Sequence, residues 1–227
     1  STMMNVLAGA IQPNSGRLKV DDVETILATP LASQAAGIRV VYQELSLCWN
    51  LSVGENVMLP ELARRNPLSP LTSMREGRAA IPVLARLGME TLDPETPVEK
   101  LSVAQQQMVE IARAVNQNAR MLVLDEPNSA LSPAESEKLF EVVRSLRAEG
   151  VSVVYVSHHL DEVLALADHI SVMRDGKLVS SFENTSDTTT DTLVAHMVGR
   201  DVSASDQYST RDGVIAQTGT PVLELQG

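Results

Sequence analysis

Two adjacent carboxylates, Asp125 and Glu126, follow the apolar run Leu122-Val123-Leu124 and precede Pro127. Such a run reads as a strand buried on both faces, and open α/β sheets bind ligands beyond the carboxyl ends of these strands. Paired acids at that edge can divide labour, Asp125 holding Mg2+ through water and Glu126 polarising an attacking water. Ser157-His158 ends a second run, Val151 to Val156. Right-handed crossovers put it at the same edge, where an imidazole can hydrogen-bond a terminal phosphate oxygen. Gln43 ends a third run, Ile38 to Tyr42, and its amide can reach a Mg2+-bound water. Each of these residues has a plainer reading alone: a polar strand exit, a structural histidine, a loop glutamine. Leu101-Ser102-Val103-Ala104-Gln105 is a capped helix start, and its free N–H groups and serine hydroxyl also suit an anion. His158, His159, His169 and His196 have no metal-ligand spacing, and the single Cys48 excludes a cysteine zinc framework.

The elements that must position these residues follow from the pattern. Met3, Val6, Leu7 and Ala10 fall at helical spacing, and Pro13-Asn14-Ser15-Gly16 turns the chain. Leu18 to Val20 and Val23 to Ile26, separated by Asp21-Asp22, predict a hairpin. Residues 45–100 are proline-interrupted, with an amphipathic stretch around Ile81, Leu84 and Leu87, and read as an inserted helical subdomain. Ser102 and Gln105 form a capping box for a helix whose apolar face is Met108, Ile111, Ala112 and Val115. Ser132-Pro133-Ala134-Glu135 starts another helix, closed by Gly150. Val151 to Val156 then reads as a second buried strand. A helix near Leu160 to Ala167, a strand Ile170 to Met173, the turn Asp175-Gly176 and a strand Lys177 to Phe182 follow. This order predicts a parallel α/β sheet with right-handed crossovers. Thr- and Asp-rich residues 183–192, a short helix Leu193 to Val198 and the apolar-poor 201–220 read as helix and linker, before Pro221 to Leu225 restarts a strand pattern.

Composition narrows the function classes. The 227 residues carry 18 Lys+Arg against 29 Asp+Glu, a net charge of −11, which disfavours nucleic acid as a partner. A 44% apolar content argues against wholesale disorder, and with 3% aromatic residues the core must be aliphatic. No apolar run approaches a membrane span. The lone cysteine suits a reducing compartment.

Taken together, the motifs resemble the nucleotide-binding domains of ATP-binding cassette (ABC) transporters. Residues 101–107 are similar to the family's signature, 121–126 to Walker B, Gln43 to the Q-loop, Ser129 to Ser132 to the D-loop and His158 to the H-loop, in the family's order. Met197 to Arg200 resembles the segment closing the first cassette of tandem monosaccharide importers of the ribose, galactoside and xylose type. The resemblance covers essentially residues 1–200. It implies a P-loop NTPase-like parallel sheet, truncated at the N-terminus, with cores at 1–44 and 101–182, a helical insert at 45–100, helix and linker at 183–220, and the first strand of a second cassette at 221–227.

The same resemblance implies residue roles. Ser1 would be the hydroxyl ligand of Mg2+, with Gln43 and Asp125, and Thr2 would lie near the α-phosphate of ATP. Glu126 would be general base or water positioner and His158 would stabilise the γ-phosphate. Ser102, Ala104 and Gln105 would meet the nucleotide of a second cassette arranged head to tail. Ala104 replaces the usual signature glycine, and its methyl group could crowd that phosphate. The implied partners are membrane permease subunits contacted by the insert, at the cytoplasmic face of the inner membrane. The 227 residues contain no G-x-x-x-x-G-K-[ST] loop, so by themselves they are expected to bind ATP weakly and not to turn it over. Residues 221–227 are expected to be capable of strand exchange onto a free sheet edge. The competing readings are a soluble cassette ATPase acting on nucleic acid or ribosomes, and a catalytically inert interaction module.

Overall fold

The computed structural model describes residues 2–62 and 73–198. Its centre is a three-stranded parallel sheet in the order β3 (Ile38–Val41), β4 (Met121–Asp125), β5 (Ser152–Val156). Successive side chains along β4 face opposite ways, as strand geometry requires. Leu122 and Leu124 enter one hydrophobic cluster with Val41, and Val123 enters another with Ile38, Met4 and Leu27. All three β4 residues are fully buried, which accounts for the unbroken apolar run.

The larger cluster is closed by α5 (Val103–Val115) and α6 (Pro133–Ala148), through Ile111, Ala112, Leu139 and Leu146. It continues into α3 (Val53–Leu62) and α4 (Ser73–Arg86) through Val57 and Leu84. The pattern reading missed α3, which carries Pro60 inside it. Around α4 it placed Leu84 and Leu87 correctly in the core, but Ile81 is exposed and Ala80 is buried instead. Helices α3 and α4 cross closely because Gly54 lies against the backbone of Gly77, only 2.6 Å from the position of an added Cβ.

The smaller cluster lies under α1 (Thr2–Leu7), α2 (Pro30–Ala35) and the hairpin β1 (Lys19–Val20), β2 (Val23–Glu24). Helix α1 ends well before the Pro13 turn. Gly9 takes φ +71°, and Ala10 N–H donates to Asn5 C=O at 2.9 Å, which closes the helix with a left-handed cap. Asp21 and Asp22 also take positive φ and make the tight turn of the hairpin.

Two expectations about the sheet are corrected. Strand β5, an edge strand of its sheet among the described residues, is partly rather than fully buried, with Ser152 exposed and Val153 to Val156 intermediate. Strand β6 (His169–Arg174) does not extend the parallel sheet. It pairs antiparallel with β7 (Lys177–Glu183) through the Asp175-Gly176 turn. This hairpin packs with α7 (Leu160–Leu166) and α8 (Thr190–Val198) around Ile170, Val172 and Leu193. Residues 199–227, with the expected linker and terminal strand, lie outside the described residues, as does Ser1.

Candidate functional site

Register decides which side chains can meet. Val41 of β3 pairs with Leu124 of β4, and Asp125 pairs with Val156 of β5. The residues just beyond those pairs, Gln43, Glu126 and Ser157-His158, therefore leave one edge of one sheet. Electrostatics agree at the β3 tip: burial, and then the nearby Asp125 carboxylate, raise the Tyr42 phenol above its ordinary value.

Glu126 is held in an uncommon conformation. Its φ is +47°, a left-handed value that costs a non-glycine residue roughly 1–3 kcal/mol and clusters at functional sites. Its N–H donates to Val156 C=O at 2.9 Å, so the β4–β5 ladder runs one residue past the strand end. Its Oε1 lies 3.2 Å from His158 Nδ1. That contact brings the two predicted catalytic side chains together. Protonated, the imidazole donates from Nδ1 to Glu126 and keeps Nε2–H for another acceptor.

His158 is supported by Ser157 beside it and by Glu162 and Tyr155, to which the sequence reading gave no role. Glu162, in the first turn of α7, accepts Ser157 Oγ–H at 2.8 Å and the Tyr155 hydroxyl at 2.9 Å on the same oxygen. Ser157 Oγ accepts His159 N–H at 3.0 Å, and the His159 ring packs on His158 at 4.2 Å between centroids. The residues on either side of His158 are thus tied to each other through the Ser157 hydroxyl. Burial, then the Glu162 hydrogen bond and charge, push the Tyr155 phenol upward. Beyond Glu126, Asn128 is buried with neither amide atom paired among the described residues.

Ser102 and Gln105 are where the capping pattern predicts. Ser102 Oγ accepts Gln105 N–H at 3.3 Å, and Gln105 Oε1 accepts Ser102 N–H at 3.0 Å, which opens α5. Among the described residues no hydrogen bond joins Ser102, Ala104 or Gln105 to the Asp125–His158 group. Thr2 opens α1 and is exposed; Gln43 is also exposed. Hard oxygen donors at the strand tips, the Asp125 carboxylate and Gln43 amide, suit Mg2+, which prefers one or two protein ligands completed by phosphate and water. Among the described residues no group of three or more acidic, His or Cys side chains forms a protein-only metal cage.

Comparison with known proteins identifies the family and the fold. The ABC transporter family profile matches residues 1–129. The chain is 41% identical over 227 residues to the arabinose import ATP-binding protein AraG of Azospirillum brasilense, covering 100% of this chain and 42% of that protein. It is 37% identical over 228 residues to the ribose import ATP-binding protein RbsA 2 of Rhizobium etli, covering 100% of this chain and 44% of that one. The chain thus spans less than half the length of these relatives. Among solved structures, it resembles a nucleotide-free ATP-binding cassette from an ABC transporter with TM-score 0.71 and 25% identity, over 81% of this chain and 76% of that one. A cassette in its ADP conformation matches in fold with TM-score 0.70 and 24% identity, over 87% of this chain and 78% of that one. With its parallel sheet, its converging strand tips and a family match over more than half its length, the chain belongs to the ABC transporter family.

Proposed function

We propose that this chain is the ATP-binding part of a monosaccharide importer, coupling ATP binding and hydrolysis to uptake across a membrane. The observation that carries the reading is the Glu126–His158 pair, 3.2 Å apart at the tips of adjacent parallel strands. The arabinose- and ribose-import names of the relatives support the sugar-import part. The net charge of −11 weighs against the soluble alternative that acts on nucleic acid or ribosomes.

Phosphoryl transfer asks a protein mainly for positioning and charge stabilisation. Bound ATP with Mg2+ supplies the transferable phosphoryl group and neutralises part of its charge. Asp125, the Gln43 amide and the Ser1 hydroxyl would hold the metal, and Thr2 would lie near the α-phosphate. Glu126 orients the attacking water and accepts its proton. His158 donates from Nε2 to a phosphate oxygen while Glu126 fixes the ring. Ser102, Ala104 and Gln105 would face the nucleotide of a second cassette arranged head to tail. The insert at 45–100 would contact the permease, placing the protein peripherally at the cytoplasmic face of the membrane, with the α/β core at 1–44 and 101–182. Among the described residues no helix is long and apolar enough to cross a membrane. Because the 227 residues contain no G-x-x-x-x-G-K-[ST] loop, the polypeptide by itself is proposed to turn over ATP no faster than its Glu126→Gln variant.

The test uses the full-length gene product. His158→Ala is expected to slow ATP hydrolysis by about 10²–10⁴-fold while nucleotide binding changes only a few-fold. Equal losses in binding and turnover reject the role of His158. Co-purification with a membrane permease separates the importer from the soluble alternative.

A further inference from the structure

Ser46 lies three residues beyond Gln43, and all of its polar groups go to helix α5. Its N–H donates to Glu110 Oε2 at 2.9 Å and its hydroxyl donates to Glu110 Oε1 at 2.6 Å. Arg113 returns the contact: Nη1 donates to Ser46 C=O at 3.0 Å, and Nη2 reaches Ser46 Oγ at 2.5 Å and Glu110 Oε1 at 2.6 Å. The i,i+3 spacing sets Glu110 and Arg113 on one face of the helix. Glu110 is 3% exposed, and its neighbours Val109, Ile111 and Ala112 are fully buried. Helix packing alone would be served more cheaply by an apolar residue, because a buried carboxylate is costly unless its oxygens find donors. Here both oxygens are matched to one loop residue 64 positions away.

This clasp joins two parts of the proposed machinery. The segment carrying Gln43 is suspended between Val41, fixed to Leu124 in the sheet, and Ser46, fixed to α5. The same helix begins at the Ser102 cap, about 12 Å from Glu110 at 1.5 Å per residue. Between them, Gln106 Nε2 donates to Val98 C=O at 3.2 Å and Leu101 C=O at 3.1 Å, so the helix start is itself anchored to the turn before it. We propose that Glu110 and Arg113 are positioning residues that act through Ser46 on Gln43, making the Gln43 segment and the Ser102-bearing helix move as one body. A displacement of the helix start is then felt at the metal edge. The catalytic part of this inference rests on the ATPase reading above; the mechanical part does not.

The experiment compares Glu110→Gln, Ser46→Ala and Ser46→Thr in the full-length gene product, measuring kcat, KM for ATP and the Mg2+ concentration for half-maximal turnover. Glu110→Gln and Ser46→Ala are each expected to lower kcat by about 10-fold, as misplaced groups do, and to raise the Mg2+ requirement. KM for ATP should stay within about twofold, and Ser46→Thr, which keeps the hydroxyl, should restore most of kcat. Unchanged kcat in folded Glu110→Gln overturns the proposal, as does a Thr variant no better than Ala. A matched fall in kcat and rise in KM, the mark of a merely structural role, overturns it too. Amide hydrogen exchange on the unmodified full-length gene product gives an answer even if the variants do not fold. The clasp requires the Ser46 N–H to be protected well beyond those of Gln43 and Glu44, and equal exchange overturns it. Unmodified full-length protein that hydrolyses no ATP counts against the ATPase reading, and exchange then decides the clasp alone.

Discussion

Glu126 and Tyr155 illustrate how single residues are shaped by their surroundings. Glu126 accepts a left-handed backbone so that its carboxylate meets His158, a cost that no sequence pattern announces. Its identity and place were legible because two acids end an apolar run; its contact with His158 follows from register. Tyr155 is different, since its hydroxyl is committed to Glu162 and its phenol is held protonated above the ordinary value of 10.0. A group whose folded pKa is raised contributes stability below its unfolded value and loses it as pH climbs through and beyond that value. The chain is therefore expected to lose stability as pH rises past 10, and Tyr155→Phe should remove that part of the slope. At neutral pH the same substitution should cost about 1–3 kcal/mol, because Glu162 loses a donor. Urea denaturation of both proteins between neutral and alkaline pH checks this; parallel curves contradict it.

Elements were legible where local chemistry sets them and obscure where tertiary contact does. Helices α5 and α6 start at their capping boxes, with Ser132 Oγ accepting Glu135 N–H at 3.4 Å in the second. Helix α3 opens on the same kind of box, Ser52 Oγ accepting Glu55 N–H at 3.2 Å and Glu55 Oε2 accepting Ser52 N–H at 2.8 Å, but it has little amphipathic contrast and contains Pro60, so the periodicity reading passed over it. Beyond that cap, α3 is placed by its contact with α4, through two glycines no pattern relates. Gly54→Ala is expected to destabilise the chain by about 1–3 kcal/mol, since the added methyl meets Gly77 backbone atoms rather than a side chain that can turn away. Chemical denaturation measures the loss, and an unchanged midpoint would mean that the helices separate freely. The hairpin β6–β7 was readable as two strands and a turn, but strand order does not reveal partners, and it pairs with itself instead of extending the sheet. The Ser46–Glu110 clasp was invisible for the same reason, its partners being 64 residues apart.

At the scale of the whole molecule, two aliphatic clusters clamp a three-stranded sheet and leave its carboxyl edge open to carry chemistry. The family was legible because each motif falls at a structural joint: a strand tip for Gln43, Asp125, Glu126 and His158, a helix cap for Ser102 and Gln105. The Ser102 cap shares no hydrogen bond with the strand tips among the described residues. The central claim is that those strand tips form one site for the hydrolysis of ATP. Its most direct test is ATP turnover by the full-length gene product beside its Glu126→Gln variant, with nucleotide binding measured on both. The account predicts binding preserved and turnover lowered by about 10²–10⁴-fold; equal turnover in the two proteins would contradict it.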